Sequence, residues 1–455
     1  MSTTNPNAGA RLDRLPVSRF HFRILGLVGA GMFLDAFEIY LAASVLGALV
    51  SSGWSDLAGN ARFVSTTFFG MMLGAWLAGM LGDHYGRRFS YQANLLMFGV
   101  ASLLGSLAPS MTWLIVARFF MGIGLGAEIV VGYSTISEFV PPKRRGKWGS
   151  ALSAITNTAL FVSALLGYLI IPNFGWRWMF VIVGVGALIV WYLRKKMPES
   201  PRWLEAHGRN EEAERILGDI EAEISRTHPL LPPVEAVRRV TSRKAPFMEL
   251  FSSRLVRRTF VASVIIMVLN TVVYGFIAWL PSLMAKNGMS IISSLGFAVF
   301  MSLGGPVGAV IGMFVSDRVG RKISIVVSSI IAIVLGAIYS HMTTNVGIAG
   351  VGFGLVTMIY TMVAIAWSLY VPELFPTELR MRGGGFCNAL GRMMNIISPY
   401  IVVYVFGLYQ ISGVVMVMLV LLAIQAIVVA TLGIETRGHS LESLTPEAKD
   451  AALGH

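Results

Sequence analysis

The chain has 455 residues, 55% of them hydrophobic and only 13% charged, with a mean hydropathy of +0.69. A soluble protein carries about a quarter charged residues, so a large soluble enzyme is excluded and an all-α integral membrane protein is predicted. The net charge of +12 does not point to nucleic acid, because Lys and Arg sit in short clusters between apolar runs, the pattern of cytoplasmic loops.

Arg11, Arg14 and Arg19 stand before the first apolar run and Arg23 at its very start. That run is too long for a signal-peptide core, which predicts a retained first helix with its N-terminus inside. Runs long enough to span a bilayer follow at 22–50, 61–82, 89–108, 112–140, 148–171 and 176–193. After a polar stretch come 258–284, 291–315, 323–341, 346–371, 384–408 and 411–433, twelve in all. Basic clusters at Arg87/Arg88, Lys143–Arg145, Arg318/Arg321/Lys322 and Arg380/Arg382 fall in alternate loops, so both termini are expected in the cytoplasm. In the interruption at 194–257, Ala213, Ile216, Leu217, Ile220 and Ile224 recur at helical spacing. This reads as an amphipathic helix lying against the membrane or the bundle. The interruption is the linker between six-helix bundles at 1–193 and 258–455. Cys387 is the single cysteine, so no internal disulfide is available.

The two halves repeat. GDHYGRR (82–88) returns as SDRVGRK (316–322), with Asp83/Asp317 and Arg87/Arg321 each 234 residues apart. A Glu-x-x-Pro-x-x-x-Arg pattern occurs at Glu138/Pro141/Arg145 and again, 235 residues on, at Glu373/Pro376/Arg380. Parallel six-helix repeats are a transporter architecture, with the binding site at the repeat interface near midplane.

On these residues the chain resembles the major facilitator superfamily along almost its whole length. PESPRWL (198–204), the two Glu-x-x-Pro-x-x-x-Arg elements and IETRGHSLESL (434–444) are similar to the sugar-porter branch, although Ile434 stands where that motif usually begins with Pro. LPVSRFHFRILGLVGAGMFLDAFEIYL and RFFMGIGLGAEIVVGYSTISEFVP are similar to bacterial metabolite:proton symporters, a group with nicotinate and aromatic-acid carriers and organic-ion transporters among its relatives.

Asp83 and Asp317 sit at turns, where a carboxylate caps a neighbouring helix N-terminus. Arg87 and Arg321 reach acids on adjacent helices, with Glu138 the expected partner of Arg87. The resemblance implies that these residues, with Arg88, Arg145, Glu373 and Arg380, form latches made in one state and broken in the other; the alternative is a set of topology signals. GIGLG (122–126) is not a dinucleotide loop, since no strand precedes it. Close helix packing is expected there, at Gly70/Gly74 and at Gly304–Gly312.

Asp35, Glu38, Arg118, Glu128 and Arg392 lie well inside apolar runs. A central charge costs about 2.5–3.5 kcal/mol, so each needs a partner, a watery cavity or a proton. Arg118 and Glu128 are ten residues apart, about 15 Å along a helix, and cannot pair. Asp35 or Glu38 is the expected partner of Arg118, facing a water-accessible cavity. Resemblance to sugar:proton symporters implies that protonating the first-helix acid releases the arginine. The competing reading is a static pair that fixes helix register. Glu128 is read either as part of the proton path or as a structural acid.

Arg392 cannot shed its charge, and its planar fork matches a carboxylate. Asn388 and Asn395 share its helix. An anion-binding role is expected, against pairing with a membrane acid. Tyr274, Trp279, Tyr360 and Trp367, with Asn270 and Asn157, are expected to finish the pocket, because the resemblance places their helices along the cavity. Packing is the alternative for each aromatic.

The expected function is proton-coupled symport of a small organic acid, such as nicotinate, by alternating access. The partners expected are a small-molecule substrate, protons and the bilayer, with no nucleic acid and a monomer in the bacterial inner membrane. Sugar or polyol symport, organic-cation transport and a non-transporting sensor stay open. No metal cluster, nucleophile triad or phosphate loop appears, so neither enzymatic chemistry nor a cofactor is expected.

Overall fold

In a bilayer the backbone finds no water to bond, and an α-helix satisfies its own N–H and C=O groups within one segment. The computed structural model describes residues 7–141, 144–234, 246–286, 288–342, 344–376 and 379–436, and these hold helices and no strand. A short α1 (Ala8–Asp13) precedes α2 (Arg19–Ser51), α3 (Leu57–Tyr85), α4 (Arg87–Ser106), α5 (Met111–Phe139), α6 (Arg145–Phe174) and α7 (Arg177–Arg194). Next come α8 (Pro201–Ala206) and α9 (Asn210–Ser225).

The later spans are more broken. The seventh is α10 (Val256–Gly275), a 3-10 turn (Ile277–Trp279) and α11 (Leu280–Lys286). The eighth divides at Leu303 into α12 (Ile291–Ser302) and α13 (Gly304–Val319). α14 (Arg321–Tyr339) is continuous. α15 (Asn345–Ile365) runs through a π segment (Ala366–Tyr370) into α16 (Val371–Glu373). α17 (Arg380–Leu432) holds two spans divided by a kink, because Gln410 leaves the helical region at φ 56° and ψ −155°. That kink falls where the sequence divides its last two runs. Among the described residues nine segments are long and apolar enough to cross a membrane, the last of them holding these two spans. With α3 and α4 the twelve runs are all helical.

Packing divides the chain into two compact units. The first takes Met1–Ile39, Phe69–Ala159 and Arg177–Val240; the second takes Tyr40–Phe68, Leu160–Trp176 and Thr241–His455. In the first unit, close backbone approach follows from small residues: a Cβ at Gly126 of α5 would collide with the Met71 carbonyl of α3.

Residues 194–234 of the polar stretch pack within the first unit. α9 buries Ala213, Leu217, Ile220 and Ile224, and Leu217, Ile220 and Ile224 join a core with Leu12, Phe20 and Ile24. The amphipathic helix therefore lies on protein. Its acids meet the N-terminal arginines: Arg11 pairs with Glu214 (2.6 Å) and Glu221 (2.8 Å), Arg14 with Glu221 (2.8 Å) and Arg23 with Glu223 (2.9 Å). Arginines that read in the sequence as topology charges are thus also docking contacts.

Candidate functional site

Among its described residues the first unit holds two buried ion pairs. Arg118 of α5 and Glu38 of α2 are 1% and 0% exposed. Arg118 Nη1 pairs with Glu38 Oε1, Nη2 donates to the Glu38 backbone carbonyl at 2.9 Å, and Met121 Sδ lies 3.6 Å from Nη1. Asp35, one turn earlier on α2, is 1% exposed. Here the structure departs from the expectation of acids facing a water-accessible cavity: both are buried, and Arg118 supplies Glu38 with a counter-charge in place of hydration. The second pair joins Glu128 to Arg194 at 2.5 Å. The sequence reading missed Arg194, because an arginine at the end of an apolar run looks like a loop charge.

At the loop ends the repeat becomes geometric. Arg87 Nε donates to Glu138 Oε1 at 3.0 Å, and Arg321 Nε lies 3.3 Å from Glu373 Oε2. Two further acids, unassigned by the sequence reading, complete the sites. Glu199 accepts the backbone N–H of Arg87 (2.9 Å) and of Arg88 (3.1 Å). Glu435 accepts those of Arg321 (2.9 Å) and Lys322 (3.1 Å). The two acids are 236 residues apart and sit in the PES and IET tripeptides. Each caps a helix whose first turn offers free N–H groups and a partial positive charge. The chain turns into these helices at Gly86 (φ 98°) and Gly320 (φ 105°), a conformation that suits glycine. Burial pushes the Glu199 carboxyl above its usual range, against the pull of the three backbone N–H groups at Ser200, Arg88 and Arg87. Thr436 donates to Glu373 at 2.5 Å, and Arg88 to the Lys195 carbonyl at 2.8 Å. The side chains of Asp83, Arg145, Asp317 and Arg380 lie outside the described residues, as do Lys143 and residues 437–444.

In the second unit Arg392 of α17 is half-buried and acts electrostatically on the Tyr274 hydroxyl of α10. Two of the expected pocket amides are engaged with each other: Asn395 donates to Asn270 Oδ1 at 2.9 Å, and Asn270 donates to the Ile266 carbonyl at 2.8 Å. Asn388 is exposed and donates to its own helix at Gly384 (2.9 Å). Asn157 belongs to the first unit, 3.4 Å from Ser153. Trp367 is 37% exposed in the π segment, and Trp279 is 1% exposed on the 3-10 turn. Tyr360 bonds Tyr40 hydroxyl to hydroxyl at 3.1 Å, and Tyr40 stacks on Tyr274 with ring centroids 6.5 Å apart. Tyr40, which the sequence reading passed over, also lines a cavity of about 30 Å³ with Ser44, Val273, Ile277, Ser302 and Val356. That is room for one or two waters and not for an organic acid.

Twelve spanning helices in two repeated sets of six, with ionisable residues paired inside them, define a multi-pass membrane carrier of the major facilitator fold. The solved structure of a D-xylose–proton symporter has that fold, with a TM-score of 0.71 at 18% identity over 92% of this chain and 99% of that one. The family described as "Sugar (and other) transporter" matches residues 39–448, and the chain belongs to that family. It is 39% identical to an inner membrane metabolite transport protein of Escherichia coli, YdjE, over 96% of this chain and 98% of the relative. It is 31% identical to the niacin transporter NiaP of Acinetobacter baylyi, over 96% of this chain and 99% of the relative. The protein is a metabolite transporter, not an enzyme.

Proposed function

We propose that the protein is a proton-coupled symporter of a small organic acid, an aromatic carboxylate such as nicotinate, working by alternating access. The observation that carries this reading is the Glu38–Arg118 pair, sealed inside the first unit. An intramembrane acid held by an arginine is a proton acceptor whose protonation frees the cation. A buried pair is weak evidence for stability alone. Because the acids are sealed in this state, proton entry requires another state of the carrier that exposes them. Differential binding to two states is all that coupling needs.

The carboxylate substrate is assigned to Arg392, beside Tyr274, and similarity to a niacin transporter supports this class. Arg87–Glu138–Glu199 and Arg321–Glu373–Glu435 are assigned as latches, together with Asp83, Arg88, Arg145, Asp317 and Arg380. The domains are bundles at 1–193 and 258–455 joined by the linker 194–257. Both termini face the cytoplasm of a bacterial inner membrane, and the working unit is a monomer.

Uptake of radiolabelled organic acids into proteoliposomes, with and without an inward proton gradient, tests the reading. Gradient-stimulated accumulation is expected. Uptake indifferent to the gradient removes the coupling, and Arg392→Ala with unchanged affinity for every transported anion removes the anion site.

A further inference from the structure

The last residue of α7 is Arg194, and a cation at a helix end ordinarily extends toward water or headgroups. Its side chain instead turns inward and is 2% exposed. Nε donates to the Leu27 carbonyl at 2.9 Å, and Nη2 donates to the Val28 carbonyl at 3.0 Å while lying 2.5 Å from Glu128 Oε1. The guanidinium also sits 5.7 Å from the Tyr91 ring centroid. A planar fork with five donors can serve two carbonyls and a carboxylate at once, which an ammonium does less well. The backbone leaves a space for it: a Cβ at Gly31 would collide with Arg194 Nη2 and stand 2.5 Å from Glu128 Oε1.

Gly31 and Glu38 are seven residues apart on α2, so they share a face about two turns apart. Their partners on α5, Glu128 and Arg118, are ten residues apart in the opposite sense of numbering. The α2–α5 seam is therefore held at two points, once through Glu38–Arg118 and once through Arg194. Among the described residues, Glu128 is faced by Arg194 from α7 and by Tyr91 from α4, with α2 approaching it through the Gly31 backbone. Around Glu38 they are Arg118 from α5 and, a turn away on α2, Asp35.

We propose that Arg194 is a positioning residue that clamps α2 to α5 and α7, with Glu128 as its permanent counter-charge, and so sets the register in which Glu38 meets Arg118. The inference rests on the proton-coupled reading of that pair. It assigns Glu128 to the clamp and takes it out of the proton path, so α2 swings from the Glu38 end while the Gly31 end stays fixed.

Infrared difference spectra of the full chain in proteoliposomes, between acid and alkaline pH and without substrate, report protonated carboxyl groups directly. The native chain is expected to give a carboxyl band that Glu38→Gln abolishes and Glu128→Gln leaves in place. Gly31→Ala changes no charge, yet is expected to move the midpoint of that band by about one pH unit or more, a tenfold change in proton affinity. Where Gly31→Ala folds poorly, the pair Glu128→Gln with Arg194→Met leaves no buried charge unpaired and is expected to give the same shift, while Arg194→Lys shifts it less. A native band lost in Glu128→Gln overturns the clamp and leaves the symporter reading standing. An unmoved midpoint in the register variants makes Arg194 merely structural and also overturns it. No native band at all defeats the coupling reading, and the clamp with it.

Discussion

Arg118 is bonded to Glu38 twice, through the carboxylate and, at 2.9 Å, through the backbone carbonyl of the same residue. A proton on the carboxylate weakens the first bond and leaves the second. Glu38→Gln keeps the shape and removes this counter-charge from a buried cation, so a loss of about 3–5 kcal/mol is expected in thermal or denaturant unfolding. Uptake in the variant should no longer respond to a proton gradient. Adding Arg118→Met should restore most of the stability without restoring coupling. A stable, gradient-driven Glu38→Gln carrier is the contrary result.

Gly126→Ala tests the packing of α5 on α3. The new methyl has no space beside the Met71 carbonyl, and overpacking costs about 1–3 kcal/mol. Gly149→Ala is the control: its Cβ meets nothing within 4 Å, and alanine favours a helix interior by about 1 kcal/mol. Unfolding midpoints should move in opposite directions for the two variants.

The docking of α9 should depend on pH. Burial disfavours the charged form of Glu221, but hydrogen bonds from Arg11 and Arg14 outweigh it and hold the carboxyl below its usual range. A lowered folded-state pKa contributes stability that is present above the unfolded value, about 4.3, and is lost as pH falls through the folded value. Amide exchange across α9 should therefore be slower in the native chain than in Glu221→Gln at neutral pH. The difference should shrink on acidification below that value.

The duplicated caps give a paired prediction. Glu199→Ala strips the first turn of α4, and Glu435→Ala that of α14. Each is expected to cost about 0.5–2 kcal/mol. Exchange should quicken at Arg87 and Arg88 in one variant, and at Arg321 and Lys322 in the other. Equal effects on both helices from either variant would contradict the local cap.

Much of the fold is legible in the residues. Apolar length gives the spans, and the 234-residue offset gives the duplication. The amphipathic period of 213–224 marks the face that α9 buries. The pairing of Arg87 with Glu138 is legible from a repeated motif. Arg194, Glu199 and Glu435 escape the same reading, since their partners are a distant carboxylate or backbone N–H groups, and backbone partners have no side-chain signature. Asn270 and Asn395 read in the sequence as separate pocket amides, and only the fold shows that they bond to each other.

By itself, the sequence determined that the chain crosses a membrane in twelve helices, because segment length and apolar transfer energy are local sums over consecutive residues. It also determined that the charges inside those helices require partners. Which groups meet was decided only by tertiary structure. Ion pairs and hydrogen bonds act over a few ångströms, and residues 80 and 66 positions apart, Glu38 with Arg118 and Glu128 with Arg194, come that close only once the helices have packed.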